Sequence, residues 1–467
     1  MQTDLSGQGA VAPAPLADRP AAAPLVSVED RKVLAATLVG SAIEWYDYFI
    51  YVQAAGLVLG SLFFAPFARE NPELSLILSF ATVGVAFLFR PLGAIVCGHL
   101  GDRYGRKRVL AATLILMGVS TALIGVLPTY AQIGLWAPVI LVGLRVLQGF
   151  SAGGEWGGAA LMAVEHAPVG RRSLFGAFPQ IGVPLGMIVA TGVLWCITAL
   201  VGADNFMAWG WRISFLLSIA LIIVGVFIRR AVEESPVFLQ MRSRRSHSSA
   251  PLGTLLRQHP RQIAMTTLIF VGNSTAGYLL VGFFISYGSR ALHMPAQQVL
   301  MICTLAAACW LGTTLLGGWL GDRIGRVRTF QVGYVLLALW AIPMWWLIES
   351  GNPALFTLAL AVLSVPLGLT YGPQAALYAE MFPADVRYSG VSAGYALGSI
   401  LGGAFAAMIA QSIISATGQS WLVGLYVVVM AAVSFIAVTL VKDKPGTTLH
   451  ADSVSYTHLT LPTILLV

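Results

Sequence analysis

The chain has 467 residues, of which 57% are hydrophobic and only 10% charged, with a formal net charge of +7. An ordinary soluble domain is about 25% charged, so a soluble globular protein and a disordered one are both excluded; the mean hydropathy of +0.80 agrees. Crossing a bilayer takes about 20 apolar residues per helix, so with loops the length allows roughly a dozen crossings.

Residues 1–30 are rich in Ala and Pro (VAPAPLADRPAAAP) and predict a disordered tail. They lack the basic start, apolar core and cleavage site of a signal peptide. Twelve apolar runs follow, predicted as helices at about 33–60, 74–98, 109–127, 138–163, 174–200, 212–228, 263–287, 297–320, 329–348, 353–379, 389–416 and 421–441. The expected class is therefore an all-α integral membrane protein. A strand barrel would instead show alternation over about ten residues per strand. The helices are rich in Gly, and Pro179, Pro184, Pro343 and Pro366 interrupt them. Small residues let helices approach closely, and Pro kinks are tolerated where neighbours satisfy the freed carbonyls.

Lys and Arg counts set the topology. With the N-terminus taken as cytoplasmic, 22 fall in cytoplasmic segments, seven of them in the loop 229–262, against two, Arg69 and Arg290, on the other side. The remaining three, Arg90, Arg145 and Arg212, fall within helices or at their ends. Both termini are thus expected inside, and the positive charge is read as topology with no nucleic-acid partner. Cys97, Cys196, Cys303 and Cys309 lie in or at the end of apolar runs, without disulfide or metal spacing.

The chain repeats itself. GHLGDRYGRKR at 98–108 recurs as GWLGDRIGRVR at 318–328, an offset of 220. A weaker echo pairs Glu165, Pro168 and Arg172 with Glu380, Pro383 and Arg387, at an offset of 215. The simplest account is two six-helix halves, 31–228 and 263–444, joined by a cytoplasmic linker 229–262. Parallel repeats recur in secondary transporters, which bind substrate between halves near the midplane.

The repeated motif places Gly98, Asp102, Arg103, Gly105, Arg106 and Lys107 between the second and third helices, and Gly318, Asp322, Arg323, Gly325 and Arg326 at the matching point of the second half. Glycine permits a tight turn and close helix contact, and an Asp can cap a following helix or pair with Arg. This pattern resembles the major facilitator superfamily over about residues 33–441. The resemblance implies a conformational latch that stabilises the outward-open state, with Asp102 as its carboxylate and Arg103 and Arg106 beside it. GSAIEWYDYFIY at 40–51, FLFRPLGAIVCGHLGDRYGRKRVL at 87–110, RVLQGFSAGGEWGGAAL at 145–161, WGWRISFLLSI at 209–219 and MFPADVRYSGVSAGY at 381–395 look like its metabolite:proton symporter branch. The first half is most similar to shikimate-type permeases. The fold implied is two six-helix bundles acting as a monomer.

Five ionisable residues sit inside predicted helices: Glu44 and Asp47 in the first, Arg90 in the second, Arg145 and Glu155 in the fourth. Charges there are costly and mark function by default. Glu44, Asp47, Tyr48 and Tyr51 follow i, i+3, i+4, i+7 and are expected on one face. Two readings stand side by side. In the structural one, Glu44 or Glu155 neutralises Arg90 and holds the first half together. In the functional one, Asp47, Glu44 or Glu155 carries a proton, and Arg90 or Arg145 binds a substrate anion; low dielectric favours the neutral form of a carboxyl group.

Tyr48, Tyr51, Gln148, Gln180, Asn273, Tyr278, Tyr371 and Gln374 complete the candidate cavity, with Gly277 and Tyr378 nearby. For each alone, ordinary interhelical hydrogen bonding is the alternative. Together they suit a small hydroxylated or carboxylated solute. Trp45, Trp156, Trp310, Trp340, Trp345 and Trp346 read as packing or interface residues. His99, His166 and His293 form no metal pattern, and no HExxH, P-loop or nucleophile elbow appears. Neither a cofactor nor an enzyme is expected.

EESP at 233–236 resembles a signal found after helix 6 in facilitators, with Glu233 and Glu234 facing Arg171, Arg172 or Arg229. Residues 453–467 (SVSYTHLTLPTILLV) resemble translated sequencing-adapter read-through and carry no function. The expected function is proton-driven import of a small organic acid such as shikimate through a bacterial inner membrane. The alternatives are a proline or betaine symporter, a drug:proton antiporter and a non-transporting sensor.

Overall fold

The computed structural model describes residues 28–66, 72–168, 170–230, 255, 257–443 and 449. The expected tail 1–30 (apart from its last three residues), most of the linker 229–262, the EESP segment and the stretch 453–467 lie outside the described residues. So do the side chains of Asp102 and Arg106.

The described residues are helical throughout, with no strand among them. The first half contains α1 (Val28–Ala54), α2 (Pro72–Tyr104), α3 (Arg106–Val126), α4 (Trp136–Glu165), α5 (Arg172–Val201) and α6 (Trp211–Arg230). The second contains α7 (Pro260–Tyr278), α8 (Ala296–Arg323), α9 (Arg326–Ala341), α10 (Pro353–Tyr371), α11 (Arg387–Ser399) and α12 (Trp421–Thr439). Among the described residues ten segments are long and apolar enough to cross a membrane. The two carboxylates of α1 lower its hydropathy, and α9 stops after 16 residues ahead of Pro343.

Some runs read as single helices are broken. The ninth pauses at Ile342–Pro343 and resumes as Met344–Glu349, and the tenth breaks at Gly372–Pro373 and resumes as Gln374–Met381. Proline removes an amide donor and clashes with the preceding turn. The helices α1, α7 and α11 each lead into a π-type turn, at Ala55–Leu59, Leu279–Phe283 and Ile400–Ala404. The repeated motif is not a loop either. Gly98–Tyr104 continues α2, and only Gly105, at φ +107°, turns the chain; Gly325, at φ +96°, does the same after α8. A side chain is strained at such φ values, so glycine is required at both places.

Packing follows the repeat. α1 lies on α5 and α6, α2 on α4, and α3 on α4 and α6; the same scheme shifted by six helices joins α7 to α11 and α12, α8 to α10, and α9 to α10 and α12. The halves meet along α5–α8 and α11–α2, which are also related by that shift. The α2–α4 contact is backbone against backbone. A Cβ on Gly149 would lie 2.0 Å from the Ala86 carbonyl oxygen, and one on Gly153 2.0 Å from that of Arg90. The glycines of GFSAGGEWGG thus hold α2, and Arg90 with it, against α4. Large apolar side chains such as Leu88, Ile115, Ile223, Phe227, Val429 and Ile436 point outward, as expected where lipid is the solvent.

Candidate functional site

Between the halves, Arg90 of α2 is buried with its guanidinium among ring faces: 4.5 Å from the Phe87 centroid, 5.5 Å from Trp45 and 5.7 Å from Tyr48. A desolvated cation over aromatic rings gains about 2 kcal/mol or more. Its Nη1 donates a long bond, 3.4 Å, to the Tyr278 hydroxyl of α7 in the other half, and its Nε has no hydrogen-bond partner among the described residues. Glu44 lies near enough to act electrostatically on Arg90 and Tyr278.

Beside Arg90 an aromatic column crosses from one half to the other. Trp156 of α4 stacks on Tyr395 of α11 at 3.8 Å and 7°. Phe270 of α7 stacks on the far face of the column, 4.6 Å from Tyr395, and the Tyr395 hydroxyl lies 3.2 Å from that of Tyr371. The Trp156 indole N–H donates to Gln180 Oε1 at 2.5 Å. Gln180 in turn donates to the Tyr371 carbonyl at 3.1 Å and to Gln374 Oε1 at 3.3 Å. The donors Gln374 Nε2 and Trp310 Nε1 are left without hydrogen-bond partners among the described residues, as is Arg90 Nε. A buried unserved donor costs about 1–3 kcal/mol, so the region is short of acceptors.

The structure therefore brings Glu44, Tyr48, Arg90, Gln180, Tyr278, Tyr371 and Gln374 together, and places the other expected residues elsewhere. Asp47 does not share the outlook of Glu44 and Tyr48. It is fully buried inside the first half, where Ser218 of α6 donates to its Oδ1 at 2.5 Å. Helical spacing gives 100° steps, so Asp47 turns toward α3 and α6 while Tyr48 faces Arg90. Arg145 and Gln148 also lie inside the first half: Arg145 Nη1 donates to Gln148 Oε1 at 2.7 Å, and its guanidinium lies 3.8 Å from the Tyr51 centroid. Tyr51 bonds Thr82 at 2.5 Å. Glu155 accepts from Thr113 of α3 at 2.8 Å. Asn273 locks α7 to α10, donating to the Leu367 carbonyl at 2.9 Å and to Thr370 at 2.7 Å. Tyr378 donates to the Thr266 carbonyl of α7.

At the Arg-rich end the halves are bolted together. Asp322 accepts from the backbone amides of Ser173 and Leu174 at 2.8 and 2.9 Å, so it caps α5 of the opposite half. The sequence places a cap on the following helix; the structure places it across the interface, where exposed amides at a helix start favour an anion. Arg326 pairs with Glu380 at 3.1 Å and with Asp443 at 3.7 Å. Arg323 and Arg103 instead lie over their neighbouring rings, Trp319 at 5.2 Å and Tyr104 at 5.4 Å. Gly98 and Gly318 admit the other half: an added Cβ would lie 2.7 Å from the Ser389 Cα in one case and 2.9 Å from the Ser173 carbonyl oxygen in the other.

The echo at offset 215 gains a meaning its spacing alone did not carry. Arg172 pairs with Glu380 at 3.3 Å, and Arg387 with Glu165 at 3.3 Å. Each half's Arg takes the other half's Glu. Only the exact repetition of Glu and Arg seven residues apart in both halves could have pointed to these residues. For Thr121, Ser218 and Tyr395 the sequence carries no signal, because single hydroxyls and rings are ordinary in membrane helices.

Comparison with known proteins places this geometry in a family. The Major Facilitator Superfamily pattern matches residues 47–407. An inner membrane metabolite transport protein of Escherichia coli (strain K12), YhjE, is 40% identical over 421 residues, covering 88% of this chain and 94% of that protein. The shikimate transporter of the same strain is 34% identical over 420 residues, covering 89% and 95%. Among solved structures, the proton:xylose symporter XylE bound to 6-bromo-6-deoxy-D-glucose superposes with a TM-score of 0.74 at 16% identity, over 90% of this chain and 98% of that one. With its twelve-helix architecture, its repeated motif and these relatives, the chain is a multi-pass membrane protein that belongs to the major facilitator superfamily, among the metabolite transport proteins of that superfamily.

Proposed function

We propose that the protein imports a small organic acid, such as shikimate or a related carboxylate, together with protons across a bacterial inner membrane. The observation that carries this reading is Arg90, a guanidinium buried between the halves and held mainly by ring faces, with an Nε that has no hydrogen-bond partner among the described residues. Arg forms planar, two-point contacts with carboxylate, and the neighbouring donors on Gln374 and Trp310 suit hydroxyl acceptors on the same solute. The aromatic column offers a flat apolar wall beside the charge.

Asp47 supplies the proton site in this reading. It is separated from the substrate site, so coupling runs through α1, which carries Asp47 toward α3 and α6 and carries Glu44 and Tyr48 toward Arg90. A loaded site with a protonated Asp47 and a neutralised Arg90 crosses the low-dielectric interior at lower cost than a charged one. The two halves, 31–228 and 263–444, then rock about the site, with the Arg-rich end cytoplasmic together with both termini. Here that end is closed by the crossed Arg–Glu pairs and the Asp322 cap.

The test is uptake into proteoliposomes under an imposed pH gradient, with labelled shikimate, related carboxylates, proline and betaine. Saturable, protonophore-sensitive accumulation of a carboxylate is expected. Accumulation of the zwitterions alone would overturn the substrate class, and saturable binding without accumulation of any solute would point to a sensor.

A further inference from the structure

We propose that Gly277 is a specificity-determining residue: the space left by its missing side chain, walled by Trp310, receives the part of the solute remote from its carboxylate and admits a ring-sized hydroxylated acid. The inference deepens the carboxylate-import reading and rests on it.

α7 brings three residues to the interface in one stripe. Phe270 stacks on Tyr395 at 4.6 Å and lies over Tyr371 at 6.2 Å and 13°. Asn273, about one turn on, ties α7 to α10 through the Leu367 carbonyl and Thr370. Gly277 follows about one turn later. Seven residues at 100° each fall about 20° short of two full turns, so Gly277 stands almost directly above Phe270, about 10 Å along the axis. It therefore overlooks the end of the aromatic column that is farther from the Arg-rich end. The next residue, Tyr278, accepts the Arg90 bond at 3.4 Å and packs edge-on against Phe87 at 5.2 Å. Gly277 thus lies at the level of the buried charge.

Gly277 is unlike the packing glycines. Among the glycines whose surroundings are described, the other buried ones would bring an added Cβ to within 3.1 Å of a neighbouring atom, as at Gly153 and Gly398, where it would lie 2.0 and 2.8 Å away. At Gly277 a Cβ would meet a single atom within 4 Å, Trp310 Cη2 at 3.8 Å, which is ordinary contact. Gly277 is nevertheless buried, and its φ is not positive. Glycine weakens a helix relative to alanine, and here neither close packing nor backbone conformation calls for it. A buried glycine of this kind leaves room for something else.

Trp310 of α8 gives that room a wall and a donor. Its ring lies 5.7 Å from that of Tyr371, and its buried indole N–H has no hydrogen-bond partner among the described residues. A solute whose carboxylate sits on Arg90 extends past Tyr278 toward this wall, where a hydroxyl oxygen accepts the N–H. A short linear acid fills the Arg90 end alone. A hydroxylated six-membered ring fills both regions. A side chain on residue 277 takes up the second region and leaves Arg90 untouched.

The test compares wild type, G277A, G277V and W310F in proteoliposomes under a pH gradient, with labelled shikimate as the ring acid and labelled lactate as the small one. G277V should lower kcat/KM for shikimate relative to lactate by roughly tenfold or more, the usual effect of a methyl-sized misfit in a pocket, and G277A should move the ratio the same way by less. W310F keeps the wall and removes the donor. It should raise KM for shikimate roughly 5–10-fold, as loss of one hydrogen bond does, and leave inhibition by cyclohexenecarboxylate, the same ring without hydroxyls, unchanged. A melting midpoint in detergent needs no substrate: G277A should hold or raise it, because the methyl enters free space and alanine favours the helix. Equal losses for both acids in G277A and G277V overturn the inference and leave the carboxylate reading standing. A lowered melting midpoint in G277A, the mark of a packing glycine, overturns it whatever is transported. An unchanged KM for shikimate in W310F overturns the place given to Trp310. Uptake of neither acid by wild type instead overturns the carboxylate reading, and the substrate named here with it. If G277V does not fold, G277A decides alone.

Discussion

At the scale of single residues, the two charges that matter most do different work in different places. Arg90 stands between the halves with ring faces around it, and Arg90→Lys keeps the charge while removing the planar fork. Hydrogen bonds to charged groups are worth about 1.5–3 kcal/mol, so Arg90→Lys should raise the KM for the transported carboxylate roughly 10–100-fold with protein still in the membrane; uptake kinetics read this directly. Asp47 is the second. Asp47→Asn mimics the protonated side chain at every pH. Uphill uptake should be lost, while exchange of labelled for unlabelled substrate without a gradient should persist and no longer fall as pH rises. Retained pH-driven accumulation in Asp47→Asn would contradict the assignment. The five intramembrane charges were legible in the sequence because their cost in lipid is a property of residue type. Their partners were not legible. Arg145 and Gln148 look like cavity residues in a linear reading, but their hydrogen bonds run to Thr82 and Thr121 inside the first half.

At the scale of elements, the glycines of α4 explain why Arg90 stands where it does. A Cβ at position 153 would sit 2.0 Å from the Arg90 carbonyl oxygen, closer than any real contact, so Gly153→Ala must push α2 away from α4. The expected cost is about 1–3 kcal/mol, the usual penalty for overpacking, seen as a lower melting midpoint in detergent and a transport loss larger than that of Gly143→Ala, where an added Cβ meets nothing within 4 Å. The turn after α8 makes a separate prediction. Gly325→Ala puts a Cβ at φ +96° and 2.7 Å from Asp443 Oδ2, so it strains the turn that presents Asp322 and Arg326. Helix positions were readable from composition to within several residues. The breaks at Ile342–Pro343 and Gly372–Pro373 were not, because proline inside a membrane helix sometimes kinks it and sometimes ends it, and neighbouring helices decide which.

At the scale of the whole molecule, the crossed pairs Arg172–Glu380 and Arg387–Glu165 join the halves at one end. Removing one member of a buried ion pair strands the other, at about 3–5 kcal/mol, and the cost falls on the closed form of that end alone. Glu165→Gln should therefore shift the protein toward the form open at the Arg-rich end. An equilibrium moved by about 5.5 kcal/mol goes from 1:99 to 99:1, so a change of this order is large. A cysteine introduced at Ser389, buried where the halves meet, in a chain whose free Cys97, Cys196, Cys303 and Cys309 are replaced by serine, should gain reactivity toward a membrane-impermeant thiol reagent in the Glu165→Gln background. The charge-reversed pair Glu165→Arg with Arg387→Glu should return it toward wild type. Equal reactivity in all three backgrounds would show that the pair does not hold that end shut.

The sequence by itself determined the solvent, the number of helices, the internal repeat and the short roll of charges that lipid makes expensive. These follow from composition and periodicity, which act locally and need no knowledge of which helix meets which. Only the tertiary structure decided the partners. The same Glu and Arg spacing that reads as a duplicated motif becomes a pair of bridges between halves because the duplication is also a two-fold arrangement in space. The same turn of α1 that carries two carboxylates sends Glu44 to the substrate side and Asp47 to a hydroxyl-lined interior, because three 100° steps leave them about 60° apart around the helix, and that difference gives them different neighbouring helices.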